Sequence, residues 1–306
     1  MARIDGLNEI HGEFFDTINI IQADCSQAVL QEAMEGCAHY HRLLNRFVPG
    51  GDLYAINHAG NRWTVVDPDT MCVIRTGLEI CEQSGGAFNL CIGPLTRLWN
   101  FKAQQPALPD ERAIGRALSL CDWRKVELKE NAVRIPEGYD IDVGGIAKGF
   151  ITDRIADFLR SRGARHALLN FGGNIVAIGS RPDGKRWTVG LQSPAGEIGR
   201  DFWAAVSLQD ESIVTSATYA RSFELAGVRY HHLLDSRTGW PVSNHMQIVT
   251  VRGKTSVLAD GVSTACFVLG TQEGVDLVLR YGMEAVFVQE DGQAVVTSGM
   301  NIRLRK

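Results

Sequence analysis

The stretch that most constrains this chain is Tyr139-Asp140-Ile141-Asp142-Val143-Gly144-Gly145-Ile146-Ala147-Lys148-Gly149-Phe150. It reads as an alternating strand, then two glycines, then a helix whose Ile151, Ile155, Phe158 and Leu159 recur at helical spacing before Gly163 stops it. Glycine lets backbone approach backbone, and a helix N-terminus offers free N–H groups at the positive end of its dipole. Lys148 adds a full positive charge there, and Asp142 places the opposite sign a few residues earlier. That combination suggests a phosphate-plus-metal site. The plainer alternative is a strand-to-helix turn with a surface lysine and a capping aspartate.

Composition narrows the class. With 45% hydrophobic and 22% charged residues over 306 positions, the chain is an ordinary globular one, able to bury a core without staples. A net charge of −4 argues against a nucleic-acid partner. No apolar run approaches the ~20 residues of a membrane span. The opening residues from Met1 to Ile10 lack the apolar core of a signal peptide, so a cytoplasmic location is expected. Seven cysteines without a C-x-x-C pair read as reduced, buried thiols.

Along the chain, strands and helices interleave without an internal repeat. A first strand is expected over 14–22, a helix over about 26–47 with Ser26 as N-cap, and a loop over 51–57. A second helix is expected over about 68–84. The following Gly85-Gly86-Ala87-Phe88-Asn89-Leu90 reads as a ligand-lining loop or a structural turn. Hairpins are expected at Glu130-Asn131, Gly172-Gly173, Ala226-Gly227 and Asp291-Gly292. A strand ending in Thr215-Ser216 and another delivering His231 and His232 carry polar groups. Adjacent strand residues point to opposite faces, so only one histidine can face a given pocket. In Leu258–Gly270, Asp260 and Thr264 share one side of a helix. A carboxylate and a hydroxyl there are hard oxygen donors suited to Mg²⁺; an N-terminal Asp and a Thr bonded back to its own helix is the alternative.

The order of these clusters resembles the ApbE family, the FAD:protein FMN transferases. The matching blocks are Asn45-Arg46-Phe47 through Asn57; Gly85-Gly86-Ala87-Phe88 with Gly93-Pro94-Leu95; Asp142 through Gly149; Asn170 through Asn174; Thr215-Ser216; His231 through Asp235 with Arg237-Thr238-Gly239; and Ala259-Asp260 with Ser263-Thr264-Ala265. The resemblance implies one α+β domain over 1–306, with mixed β-sheets and helices packed outside. It implies Mg²⁺-dependent transfer of FMN from FAD to a Thr or Ser hydroxyl of an acceptor protein, with release of AMP. An FAD pyrophosphatase and a non-catalytic FAD-binding protein are the rival readings. Carried over by position, the metal set is Gly145, Asp260, Ser263 and Thr264. Phe15, Phe47, Ala87, Phe88, Asn89, Asp142, Lys148, Thr215, Ser216 and Leu234 fall to the cofactor, and His232 is the base. Three departures from the family pattern stand at Phe15-Asp16-Thr17, Asn89 and Ala217.

Overall fold

The computed structural model describes residues 4–101, 103, 105–194, 196–197, 200–218 and 221–305. Met1, Ala2 and Arg3 of the N-terminal reading lie outside them. In chain order the elements begin with β1 (Asn8–Phe14), β2 (Thr17–Ala23), α1 (Gln27–Leu43), α2 (Asp52–Asn57), β3 (Thr64–Val65), α3 (Pro68–Gln83), α4 (Gly93–Thr96) and α5 (Glu111–Leu118). The middle holds β4 (Glu127–Lys129), β5 (Ala132–Arg134), α6 (Ala147–Ser161), β6 (Ala167–Phe171), β7 (Asn174–Ile178), β8 (Trp187–Gln192), β9 (Phe202–Leu208) and β10 (Ser212–Ala217). The remainder is β11 (Ser222–Leu225), β12 (Val228–His231), β13 (Met246–Gly253), α7 (Ser256–Leu269), α8 (Thr271–Arg280), β14 (Glu284–Gln289), β15 (Ala294–Val296) and β16 (Arg303–Leu304).

The frame is a sheet in the order β1-β2-β6-β7-β10-β13-β14-β15. Every described pairing in it is antiparallel. Period-2 patterning feeds two separate cores. Val249 and Val251 of β13 join a cluster with Ile151 and Ile155 of α6 and Val262, Ala265 and Phe267 of α7. Ile248 of the same strand joins Ile213, Val286 and Val288 against Trp187, Val206 and Leu208 of the smaller β16-β9-β8 sheet. Helices therefore cover one face of the large sheet and a second sheet covers the other, an α+β arrangement.

Four expectations change. The strand expected over 14–22 is a hairpin, because Phe15 and Asp16 turn with φ of 57° and 59°. That left-handed pair matches strand twist but costs energy in residues with a Cβ. Residues 52–57, expected as a loop, form α2, with Leu53 and Ile56 buried one turn apart. No ladder strand immediately precedes Gly144: the segment pairs instead with the end of α2 and with a loop, through Ile141 N–H on Asn57 Oδ1 at 2.8 Å and Asp142 N–H on the Leu90 carbonyl at 2.8 Å. Helix α1 stops at Leu43 rather than Phe47, while Ser26 Oγ does accept from Val29 N–H at 3.4 Å. Six of the seven cysteines are buried and all are free; Cys72 is exposed.

Helix α7 is largely buried and mostly apolar, and accordingly central. It touches α6 most closely at Gly149, where a Cβ would stand 2.3 Å from the Ser256 carbonyl oxygen and 2.8 Å from Asp260 Cβ. Gly149→Ala is therefore expected to force the two helices apart and to cost about 1–3 kcal/mol, checked by the urea midpoint against wild type.

Candidate active site

Asp260 lies one turn into α7 and is only 3% exposed. Burial raises the pKa of its carboxyl, while Lys148, the Gly149 N–H and the Asn174 amide pull the other way by stabilising the charge. Gly149 N–H donates to Asp260 Oδ2 at 2.9 Å, and Lys148 Nζ sits 3.6 Å from Oδ1. The start of α6 thus holds the carboxylate with a backbone donor and a cation. Asn174 arrives there because Gly172 and Gly173 turn with φ of 61° and 94°, and Asn170 Oδ1 closes the turn by accepting from Gly173 N–H at 3.1 Å.

Thr264 Oγ1 and Ser263 Oγ both donate to the Asp260 carbonyl, at 3.2 and 2.9 Å. Ser263 is fully buried and also meets Ser216 Oγ at 2.8 Å, so its hydroxyl ties α7 to β10. Gly145 lies beside Thr264: a Cβ there would be 3.3 Å from Thr264 Oγ1 and 3.1 Å from the Phe88 ring. Gly145 thus adjoins Thr264, and Asp260 stands one turn earlier on α7; a carboxylate, a hydroxyl and a peptide carbonyl are the oxygen donors these residues carry. The set suits a hard dication such as Mg²⁺, which could be held by a carboxylate, a hydroxyl and a peptide carbonyl. Among the described residues no group of three or more His, Cys, Asp or Glu side chains is placed to hold a metal ion.

The two histidines separate as strand geometry demands. His231 is buried, edge-on to Phe267 at 5.7 Å, with Nε2 3.1 Å from the Val242 carbonyl. His232 is half-buried, and its Nδ1 lies 3.3 Å from the Arg221 carbonyl. An N–H at Nδ1 donating to that carbonyl leaves the lone pair on Nε2. Burial pushes the His232 imidazole down to about 4, with the Arg221 charge, His231 and Lys148 adding in the same direction and the Arg221 carbonyl opposing them. A depressed histidine stabilises the fold above the ordinary value of about 6.5, and that contribution is lost as pH falls through 4. Lys148, one of the charges that depress His232, is also the cation paired with Asp260.

Other expected site residues distribute unevenly. Ser216 faces α7, but Thr215 points to the other side of the sheet and bonds Thr250 Oγ1 at 2.9 Å. Leu234 is buried among Leu95, Trp99 and Ile114. Asn89 is spent inside: its amide donates to the Cys121 carbonyl at 2.7 Å and to Ser236 Oγ at 3.1 Å, and its oxygen accepts from Cys91 N–H at 2.9 Å. Ala87 and Phe88 are buried, with Phe88 against Gly145. Phe15 stacks edge-on to His41 at 4.8 Å. Phe47 is the exception, 70% exposed, with the Arg46 guanidinium 4.6 Å over its ring.

Asp142 does not stand free. Its Oδ1 accepts from Gly144 N–H at 2.8 Å, and Oδ2 accepts from Thr96 Oγ1 at 3.1 Å. Behind it is a hub that sequence reasoning missed. Asp140, 3% exposed, takes Arg46 Nη1 and Arg97 Nε on Oδ2 and Asn57 Nδ2 on Oδ1, each at 2.5 Å. The signal was present in the i, i+2 pair of aspartates and in Arg46 beside the aromatic Phe47; reading the segment as a strand hid it.

The fold and site thus define an α+β protein with a carboxylate–lysine centre at a glycine-rich helix start. The ApbE family model matches residues 15–287. An FAD:protein FMN transferase of Treponema pallidum is 34% identical over 91% of this chain and 82% of that protein. Another, from Klebsiella pneumoniae, is 32% identical over 90% and 87%. The crystal structure of the ApbE protein from Thermotoga maritima overlays with a TM-score of 0.88 at 27% identity, covering 95% of this chain and 97% of that one. The apo flavinyl transferase ApbE of Pseudomonas stutzeri gives 0.83 at 26% identity, covering 95% and 94%. This chain belongs to the ApbE family.

Removing the hub carboxylate takes from Arg46, itself 7% exposed, its nearest counter-charge and leaves it only the longer 3.5 Å pair with Asp142. Asp140→Ala is expected to cost about 3–5 kcal/mol, read from chemical denaturation.

Proposed function

We propose that this protein transfers FMN from FAD to a Thr or Ser hydroxyl of an acceptor protein, releasing AMP, and that it requires Mg²⁺. The observation that carries the reading is the orientation of His232. With Nδ1 tied to the Arg221 carbonyl, Nε2 is the ring nitrogen left to take a proton, near a lysine and a buried carboxylate. In the transfer, the acceptor oxygen bonds to the phosphorus on the FMN side of the pyrophosphate. The bond from that phosphorus to the bridging oxygen breaks, AMP leaves with that oxygen, and the hydroxyl proton passes to His232 Nε2. Bound at Asp260, Thr264 and Gly145, Mg²⁺ would neutralise charge on the pyrophosphate. Lys148 adds a cation at the N-terminal, positive-dipole end of α6. The exposed Phe47 ring is the open flat surface on which a flavin or adenine could stack. The relatives' names, FAD:protein FMN transferase, support the same reaction.

The test incubates protein with FAD, with and without Mg²⁺ and with a flavin-stripped acceptor domain, and follows AMP, free FMN and acceptor mass. AMP together with an FMN-sized gain on the acceptor is expected, and only with Mg²⁺. AMP with free FMN alone, despite a competent acceptor, identifies a pyrophosphatase; intact FAD throughout overturns the enzyme reading. His232→Gln is expected to lower kcat by about 10²–10⁴-fold, the usual worth of a general base, while FAD binding followed by fluorescence stays within twofold (roughly 0.4 kcal/mol, below the effect of one lost contact).

The depressed His232 also sets a pH signature. In the free enzyme the ring is neutral at every pH above its value of about 4, so the acid limb of kcat/KM is expected near there. A bound anionic pyrophosphate stabilises the imidazolium, so the limb in kcat should move to higher pH. Coincident limbs at the ordinary histidine value of about 6.5 would assign the proton transfer to another group.

A further inference from the structure

Helix α7 begins without its own cap. Thr255 occupies the N-cap position, but its side chain makes no capping hydrogen bond. Helix starts leave several N–H groups unpaired, and a carboxylate there meets both the donors and the positive dipole end. Here the carboxylate comes from a neighbouring helix. Asp153 of α6 accepts Ser256 N–H on Oδ1 and Val257 N–H on Oδ2, both at 2.8 Å. Asp153 lies four residues after Gly149, so it sits on the same side of α6, one turn further along. The two helices are therefore joined twice on one face: by Asp153 to the first turn of α7, and by the Gly149 N–H to Asp260 one turn into it.

We propose that Asp153 is a positioning residue: by capping α7 from α6 it fixes the seating of Asp260 and Thr264 against Lys148, Gly149 and Gly145. The inference rests on the proposed Mg²⁺ site for its activity readout, and on the helix geometry alone for its structural one. The cap acts with both carboxylate oxygens as acceptors, so an amide in the same volume loses one of the two bonds. Burial raises the Asp153 carboxyl to about 6, while its two backbone donors oppose that rise by holding the charge. A side chain placed there against its desolvation cost, bonded only to the start of α7, is consistent with a tie between helices.

The test compares wild type with Asp153→Asn and with the double variant Asp153→Asn/Thr255→Asp, which restores a cap from within α7 but not the tie to α6. Asp110→Ala, which removes the side-chain cap of α5, controls for general destabilisation. Amide exchange is followed at Gly149 and through 256–262, with thermal melting and the Mg²⁺ concentration for half-maximal AMP release from FAD. Asp153→Asn is expected to speed exchange at both places by about tenfold and to raise the Mg²⁺ requirement by about 10-fold or more, as loss of a group supporting metal ligands does. The double variant should regain the melting temperature while Gly149 exchange and the Mg²⁺ requirement stay raised. Recovery of all three by the local cap, or slow Gly149 exchange in Asp153→Asn, would overturn the positioning role and leave a plain helix cap. If wild type releases no AMP under any condition, the functional reading fails while the exchange data still decide the seating. Should Asp153→Asn not fold, the double variant alone carries the comparison against wild type.

Discussion

A carboxylate inside an apolar helix governs the rest of this structure. Asp260 has no route to water through α7, whose other buried positions are Ala, Val, Ser, Gly, Cys and Phe. An isolated charge in such a place costs several kcal/mol, so its partners must come to it. The chain brings Lys148 and the Gly149 N–H from α6, and it sets Asn174 of β7 nearby. Each needs a small residue nearby: Gly149 for helix contact, and Gly172 and Gly173 for the turn that aims Asn174. The packing of α6, α7 and β7 is thus written around one ionisable group.

The same logic explains why the segment before the double glycine is not a ladder strand. Its two aspartates point to partners on three different elements. Asp140 draws in Arg46, Asn57 and Arg97, and Asp142 draws in Thr96 and closes its own turn at Gly144. Backbone groups pair with the Asn57 side chain and with the carbonyl of Leu90 and the amide of Gly93. These bonds fasten the segment to α2, α4 and the loops beside them, and they leave Gly145 beside Phe88 and Thr264. The polar hub therefore supports the glycine turn from behind without occupying it.

Periodic elements were legible and chemical roles only partly so. Helices α3, α6 and α7 and the turns at Glu130-Asn131, Gly172-Gly173, Ala226-Gly227 and Asp291-Gly292 follow from spacing and turn chemistry. The hairpin at Phe15-Asp16 hid because neither residue is a glycine, although both take left-handed backbone. Strand β13 buries side chains on both faces, Val249 and Val251 toward the helices and Ile248 toward the second sheet, so its burial does not alternate cleanly. Side-chain direction was the harder matter. Thr215 and Ser216 look equivalent in sequence, yet one bonds across the sheet to Thr250 and the other meets α7. Asn89 reads as a loop polar group, and only three-dimensional contacts show it fastening that loop to Cys121 and Ser236.

The histidine pair shows how such direction is enforced. On β12 and the residue after it, Tyr230 and His232 share one side and His231 takes the other. His231 is locked: its ring lies against Phe267 of α7 and its Nε2 bonds the Val242 carbonyl. Burial also lowers the His231 pKa, so the locked ring stays neutral in the apolar contact. Because neighbouring strand residues point to opposite sides, fixing His231 against α7 fixes His232 on the other side of the strand, where the Arg221 carbonyl holds it by main chain and ring alike at 3.1 and 3.3 Å. The helix that carries Asp260 thus also orients the candidate base, through a second contact made by Phe267 seven residues along the same helix. Both charged and proton-accepting groups take their direction from α7, which is why a shift of that one helix would disturb the whole site and not one ligand of it.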